Sequence, residues 1–415
     1  MIMWEEVFRP AIADTVNALL GILPFLLPFI LAFLGWKLWR LYIVQRFISK
    51  MEWIMLEIKI PKEQYKSPKA MEVVVNAFHQ FSAISFIDYA WVGKVWPWSS
   101  LEIVSTEGKV RFMMRILKGA RRGVENHIYS QYPNAEIHEV EDYVGKVHYL
   151  ESDSFKARMG MEPSSNWALF GSEYTLNKPD AYPIKTYVDY GLDKEGVKEE
   201  YQVDPITPTL EAMGAIGKGE HMWFQILVRA AARGYSTLST SAQAEQWKEE
   251  AKTLIANLMK RDAPPEKQRL EMLSPGERDV AAAVERSISK DGFDCGIRMI
   301  YVAEKGKFSG GNIGSIFNSL KQYTTLNLNS FRPTRFTSTI DWQDWFGWEL
   351  ERKKRTIFKN YCQRNFFHYP HTPKTFVLNT EELATIYHFP GSVAQTPTFG
   401  RIESKRAEAP TNLPI

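Results

Sequence analysis

Two groups of basic side chains, each mixed with aromatic residues, are the part of the sequence best suited to binding chemistry. The first group lies between residues 109 and 122, and the second, between 352 and 364, follows three tryptophans. Cations interleaved with aromatic rings bind single-stranded nucleic acid or an anionic bilayer surface. Tryptophans spaced by three residues more often form a packed helix face, so packing against a domain or partner is the favoured interpretation. The predicted contact residues are Arg111, Arg115, Arg121, Arg122, Arg352, Lys353, Lys354 and Arg355.

Motifs for nucleotide binding, metal binding and nucleophilic catalysis are weak. Residues 214–219 contain glycines and a lysine, but they precede a strand, whereas a phosphate-binding loop leads into a helix. Residues 309–314 do precede a helix and could hold an anion, although helix capping is favoured. His368 and His371 have no Cys or carboxylate spaced to complete a tetrahedral site, and Cys295 has no nearby His. We therefore expect no enzyme, catalytic residue, cofactor or metal site.

Composition indicates an ordered protein of several domains. The 415 residues allow two or three domains, and 45% are hydrophobic, which excludes a disordered chain. With 51 Lys+Arg against 48 Asp+Glu, the net charge of +3 excludes a nucleic-acid binder that works by bulk charge. Two cysteines exclude a disulfide scaffold.

The N-terminal region predicts a retained membrane anchor. Thr15 to Trp36 is a run of 22 residues without a charge, and about 20 apolar residues cross the hydrocarbon core. The side chains before it sum to −2, which differs from the cationic start of a signal peptide. Basic residues follow it, so the positive-inside rule places the C-terminal side in the cytoplasm. We predict an extracytoplasmic stretch at 1–14, a transmembrane and basic juxtamembrane helix at 15–50, and interface contacts from Trp36, Lys37, Trp39 and Arg40.

Residues 51–150 predict a first α+β domain. Alternating apolar residues indicate strands at 53–61 and 135–144 and a hairpin at 99–116 that turns at Glu107-Gly108, with helices at 67–82 and 119–133. The order β-α-β-β-α-β is that of a ferredoxin-like domain.

Residues 151–335 predict a second, interrupted α+β domain of the same ferredoxin-like kind. We expect connection and edge strands at 145–200, strands at the end of 204–231 and at 293–304, a helix at 310–323, and a helical insertion at 242–274. Residues 336–388 predict a basic aromatic segment with a helix at 342–367. The proline-rich residues 389–415 predict an extended C-terminal arm.

Several whole runs resemble the membrane-proximal region of type IV secretion or conjugation-like proteins of candidate-phyla-radiation bacteria. They are LEIKIPKEQYKSPKAMEVVVNAFHQ (56–80), PWSSLEIVSTEGKVRF (97–112), HIYSQYPNAEIHEVEDY (127–143) and the run from Phe376 to Ile415. In that family a domain of unknown function leads into a HerA/FtsK-like motor ATPase. The sequence printed here ends where that motor is expected, so the resemblance carries no ATP-binding residue over.

The resemblance implies a membrane-anchored, non-catalytic scaffold or docking subunit in the cell (inner) membrane, with most of the chain in the cytoplasm. The expected partners are the membrane, crossed by a single span, and a motor ATPase, with DNA and a second copy of the chain as further candidates. A membrane-linked nucleic-acid-binding module that uses basic clusters 109–122 and 352–364 is the alternative.

Overall fold

The computed structural model describes residues 9–61, 66–80, 84–149, 166–194, 203–231, 243–259, 274–338, 344 and 348–390; at 9–20, 22–23 and 243–246 it describes the backbone alone. The chain forms two compact units. We name Met1–Met51 with Ala83–Val95 the anchor unit, and Glu52–Ser82 with Trp96–Ile415 the sheet unit. These ranges include residues 1–8, 81–83 and 391–415 at their ends, which lie outside the described part of the chain.

The anchor unit consists of one long helix and a short segment packed against it. Helix α1 runs from Arg9 to Ile48, and its stretch Pro24–Ile48 is long and apolar enough to cross a membrane, judged by length and composition. Most of its large apolar side chains are exposed, among them Phe25, Phe29 and Phe33. Residues 84–95, which we name the interface segment, form a π-helical turn at Asp88–Val92.

In the first half of the sheet unit, the described residues form four antiparallel strands and two α-helices. The strands are β1 (Trp53–Lys59), β2 (Ser99–Thr106), β3 (Lys109–Leu117) and β4 (Glu136–Val140), and the helices are α2 (Lys69–Asn76) and α3 (Arg121–Gln131). Their order in the sheet is β4-β1-β3-β2. The hairpin turn predicted at Glu107-Gly108 is confirmed, since both residues have positive φ, 53° and 82°, as tight hairpin turns require.

The second half repeats this arrangement with inserted helices. Its elements are β5 (Trp167–Leu176), α4 (Thr207–Gly214), β6 (Glu220–Ala230), α5 (Gln243–Met259), α6 (Pro275–Ile288), β7 (Gly292–Glu304), α7 (Gly310–Ser319) and β8 (Phe331–Thr334). The strand order is β6-β7-β5-β8, again with antiparallel neighbours. Strand β5 therefore has a partner on each side, which corrects the expectation of edge strands in this region.

The two halves share one sheet, which has nine strands among the described residues. Strand β2 pairs along its whole length with β6, from Ser99 opposite Val228 to Thr106 opposite His221. Helix α8 (Trp348–Gln363), strand β9 (Phe376–Asn379) and helix α9 (Thr380–Ile386) complete the unit, and β9 pairs with the start of β7. The α+β class and the N-terminal apolar helix are confirmed, while the continuous sheet is a feature that the sequence did not predict.

Both faces of the sheet are covered. On one face, Leu56, Ile103 and Phe224 pack in a large core with side chains from α2, α3, α4, α7 and α9. On the other, Val104, Trp223 and neighbouring residues pack under α8. Strand residues alternate between these faces, so the central strands are buried along nearly all of their length.

The C-terminal part of the chain differs from its predicted boundaries. The described helix begins at Trp348 and ends at Gln363, inside the predicted 342–367. Phe389, predicted to begin the extended arm, is buried between the rings of Phe112 and Tyr132. The rest of the predicted arm, 391–415, lies outside the described residues.

Gly296 in β7 leaves space that an aromatic ring occupies. A Cβ at Gly296 would lie 2.3 Å from the ring of Phe366. We expect Gly296→Ala to lower the free energy of unfolding by about 1–3 kcal/mol, because the ring must move out of a packed core. Gly314→Ala in α7, where nothing lies within 4 Å of the added atom, is the matched control and should gain about 0.5–1 kcal/mol. Thermal unfolding of the detergent-solubilised protein measures both; equal midpoints would contradict this packing.

Candidate functional site

A row of polar side chains crosses the centre of the sheet beneath α8. Glu102 on β2 lies opposite Gln225 on β6, Gln225 opposite Arg298 on β7, and Arg298 opposite Glu173 on β5. All four are almost fully buried. Because directly opposed strand residues project to the same face, the register alone brings these four side chains together.

Arg364 neutralises Glu102 from the other side of this layer. Its Nε and Nη2 donate to the two carboxylate oxygens of Glu102 at 3.0 and 3.1 Å. Gln225 Nε2 donates to the same carboxylate at 2.8 Å, and the Tyr143 hydroxyl donates at 2.8 Å. Burial opposes ionisation of Glu102, but the charge and hydrogen bonds of Arg364, with the other donors, outweigh it and lower its pKa to about 2.

The backbone at Arg364 explains why its side chain reaches the core. Helix α8 ends in a Schellman motif: the Arg364 N–H donates to Tyr361 O at 3.1 Å and the Asn365 N–H to Asn360 O at 3.0 Å. Arg364 takes the left-handed position, φ 53°, where glycine or asparagine is usual. An arginine there is held by its side-chain contacts, which include Asp142 as well as Glu102.

A second group of charges lies at the other end of the polar row. His371 Nε2 is 2.5 Å from Glu173 Oε1, and Arg298 Nη2 donates to the Asn365 carbonyl at 2.6 Å. Burial lowers the pKa of Arg298 to about 10. Glu173, Arg298 and the segment after α8 therefore form a continuous polar layer with the Glu102–Arg364 pair.

A cleft of about 750 Å³ opens beside Glu173, along the β5–β8 edge. Its polar lining carries both charge signs, from Glu173, Asp180, Glu250, Lys178, Arg332, Arg335 and Lys374. Burial raises the pKa of Asp180 to about 6. Within the described residues, no three or more His, Cys, Asp or Glu side chains are grouped to hold a metal ion.

The first predicted basic cluster is largely engaged within the protein. Arg115 is mostly buried, its guanidinium lies 4.4 Å from the Trp53 ring centre, and burial lowers its pKa to about 10. Arg121 forms ion pairs with Glu125 at 2.7 Å and Glu139 at 2.5 Å. Arg111 donates to the Thr106 hydroxyl at 3.2 Å, and Arg122 is exposed.

The second predicted cluster lies on α8 beside two acidic residues. Glu349 is 3.9 Å from Arg352 and 3.4 Å from Lys353, and Glu351 is 3.4 Å from Arg355. Burial lowers the pKa of Lys354. Arg364, at the end of this cluster, is fully enclosed in the core, so it is not available to a nucleic acid or a bilayer.

The predicted membrane-interface residues lie together on one helix. Trp36, Lys37, Trp39 and Arg40 occupy consecutive turns of α1. Lys37 Nζ is 4.6 Å from the Phe33 ring centre, and the Arg40 guanidinium is 3.5 Å from the Tyr89 ring centre. The Trp39 indole donates to the Ala90 carbonyl at 3.1 Å. These contacts bring part of the interface segment against the helix.

Sequence reasoning missed the polar row, although one pattern pointed to it. Glu102 lies between Leu101 and Ile103 in a predicted strand, and Val104, on the same face as Glu102, is apolar, so both faces of the strand carry apolar residues. A charge in such a strand needs a buried partner. The partner is Arg364, 262 residues later in the sequence. It stands where a helix ends without a glycine to mark the end, so the sequence does not single it out and only the fold identifies it.

The chain belongs to the family described as Domain of unknown function (DUF8128), whose model matches residues 45–401. The match covers the whole described sheet unit and the end of α1. No curated protein matches the chain.

The Glu102–Arg364 pair predicts a specific pattern of double-mutant energies. Arg364→Met should lower the free energy of unfolding by about 3–5 kcal/mol, because it leaves an unpaired carboxylate in the core. Glu102→Gln combined with Arg364→Met should cost less than the sum of the two single changes, because no unpaired charge is then left in the core; Asp142, the other partner of Arg364, has a side chain that is 40% exposed to water. Arg352→Ala, on the exposed face of α8, is the control and should change stability by about 0.5 kcal/mol or less. Chemical denaturation measures these values, and strict additivity would contradict direct coupling.

Proposed function

We propose that this DUF8128 protein is a membrane-anchored, non-catalytic scaffold or docking subunit that recruits a motor ATPase at the cytoplasmic face of the cell membrane. The observation that carries this proposal is α1, whose stretch Pro24–Ile48 exposes apolar side chains over a length sufficient to cross a bilayer. A helix that packed into a soluble core would bury this surface. The exposed surface therefore favours lipid as its environment.

The charge pattern supports one orientation. Glu5, Glu6 and Asp14 precede the apolar run, whereas Lys37, Arg40, Arg46 and Lys50 follow it. Basic residues next to a span remain in the cytoplasm. We propose that α1 is a single span and that the sheet unit is cytoplasmic.

We also propose that the sheet unit is a fusion of two ferredoxin-like halves. In each half, the strands read 4-1-3-2 across the sheet when numbered in chain order, which is the order that a β-α-β-β-α-β unit adopts. The second strands of the halves, β2 and β6, pair with each other, so the two units extend one another. At this seam the buried Glu102 carboxylate accepts from Gln225 on β6 and pairs with Arg364, which supports a rigid surface for docking.

The proposed partner rests on the sequence resemblance to type IV secretion or conjugation-like proteins. In that family, the run from Phe376 onward precedes a motor domain. Since Phe389 packs in the core, we place the start of the proposed docking segment after Pro390. We propose that residues 391–415 bind the motor, for example as an extended strand added to a sheet edge.

Two measurements on the full chain test the anchor and the docking separately. The protein should stay in the membrane pellet after alkaline carbonate extraction, because its span is held by lipid. Affinity purification from detergent should recover a P-loop motor ATPase, and deletion of 391–415 should remove the motor while leaving the protein in the pellet. A deletion from 389 is a poor variant, since it also removes a core ring. Release by carbonate would contradict the anchor; motor binding that survives the deletion would contradict the docking site.

The nucleic-acid alternative predicts a different result. If exposed basic residues on α8 bind phosphates, Arg352→Glu with Lys353→Glu should weaken DNA binding and flatten its dependence on salt. We expect little change, because Glu349 already lies beside both residues. Glu349→Gln is the matched control, since it leaves the two cations without their acidic neighbour. Fluorescence anisotropy with single-stranded DNA at several salt concentrations distinguishes the two outcomes.

A further inference from the structure

The interface segment exposes a dense set of large apolar side chains. Phe86, Ile87, Trp91 and Val92 are 64%, 66%, 63% and 48% exposed, within seven consecutive residues. Exposed apolar residues that stand alone need no explanation, but a contiguous group marks a surface that binds something apolar. The question is therefore what covers this group.

The segment is held firmly against α1. The Trp39 indole donates to Ala90 O at 3.1 Å, and the ring of Trp39 meets that of Trp91 edge-on, with centres 5.9 Å apart. Gly93 ends the π-helical turn with φ 73°, and a Cβ there would lie 2.5 Å from the backbone of Ile43. A side chain at position 93 would thus push the segment away from the helix.

The position of this contact along α1 identifies its surroundings. Trp39 and Ile43 follow Trp36, the last residue of the uncharged run, by three and seven residues. Lys37, Arg40 and Arg46 follow Trp36, so we place the boundary of the hydrocarbon core at Trp36, inside the apolar stretch Pro24–Ile48. At about 1.5 Å per residue, Trp39 and Ile43 then lie roughly 5–10 Å beyond that boundary. This is the depth of the lipid headgroups and the nearby acyl boundary, where tryptophan is enriched.

Two polar side chains cap the start of the helical turn in the interface segment. Ser85 and Asp88 exchange hydrogen bonds, each 3.1 Å long, that satisfy the backbone N–H groups at the start of its helical turn. These two bonds leave fewer backbone N–H groups without a partner when the segment lies in a membrane interface.

We propose that the interface segment is a second membrane-contacting element, whose Phe86, Ile87, Trp91 and Val92 side chains insert into the bilayer beside α1. The proposal rests on α1 being a membrane span, as proposed above. The chain would then contact the bilayer through two elements, α1 and the interface segment. The two elements pack together at Trp39, which bonds Ala90, and at Gly93, which lies against Ile43.

Site-specific photocrosslinking of the full chain in native membranes tests this. Phe86→p-benzoylphenylalanine and Trp91→p-benzoylphenylalanine should each form lipid adducts on irradiation, detected by mass spectrometry. The same replacement of Tyr42, an exposed ring on α1, is the positive control, and replacement of Lys218, an exposed residue of the sheet unit, gives the background. Adding Gly93→Val should lower the adduct yield at position 91 several-fold, because the segment can no longer pack on Ile43.

The outcomes separate this proposal from that of the anchor. Lipid adducts at position 42 with none above background at 86 and 91 would overturn the second contact and leave the span intact. Crosslinks at 86 and 91 to a second copy or to another protein, without lipid, would overturn it in favour of a protein interface. Absence of lipid adducts at position 42, together with release by carbonate, would overturn both proposals.

Discussion

The buried pair of Glu102 and Arg364 is the interaction on which the sheet unit depends. Glu102 lies on β2 and its strand partner Gln225 lies on β6, so the carboxylate sits at the seam where the two halves of the sheet meet. Arg364 approaches from the end of α8, and its second carboxylate partner, Asp142, follows β4. One guanidinium thus connects two segments of the first half of the sheet with the end of the helix that covers them. The Glu102 carboxylate carries the contact across the seam, because it also accepts from Gln225 on β6. Such a pair adds little net stability over an apolar core, but it makes other registers costly, because any slip would leave a charge unpaired.

The same pair explains the unusual end of α8. A left-handed residue after a helix is normally glycine, which has no side chain to direct. A left-handed arginine costs conformational energy. The turn at Arg364 directs its guanidinium into the core, where the contacts with Glu102 and Asp142 offset that cost. The polar layer then continues through Arg298, Asn365, Glu173 and His371 to the cleft at the β5–β8 edge.

The anchor unit uses a different physical principle. Its helix exposes apolar side chains instead of burying them, and the interface segment adds four more large ones next to Trp39. Glycine matters here at Gly93, where both a positive φ and the close approach of the Ile43 backbone exclude a side chain. In the sheet unit, packing against protein fixes the elements, whereas in the anchor unit we propose that lipid completes the surface.

The sequence by itself determined the features that depend on local patterns. The apolar run of α1, the alternating strands β1–β3 and the turn at Glu107-Gly108 follow from hydrophobic period and turn chemistry, which neighbouring residues specify. Tertiary structure decided what depends on distant partners. The pairing of β2 with β6, the ion pair between residues 262 positions apart, the burial of Arg115 and Phe389 and the packing of residues 84–95 on α1 all join segments that carry no mutual pattern in the sequence. Buried charge and close backbone contact are properties of three-dimensional surroundings, and residue spacing does not record them.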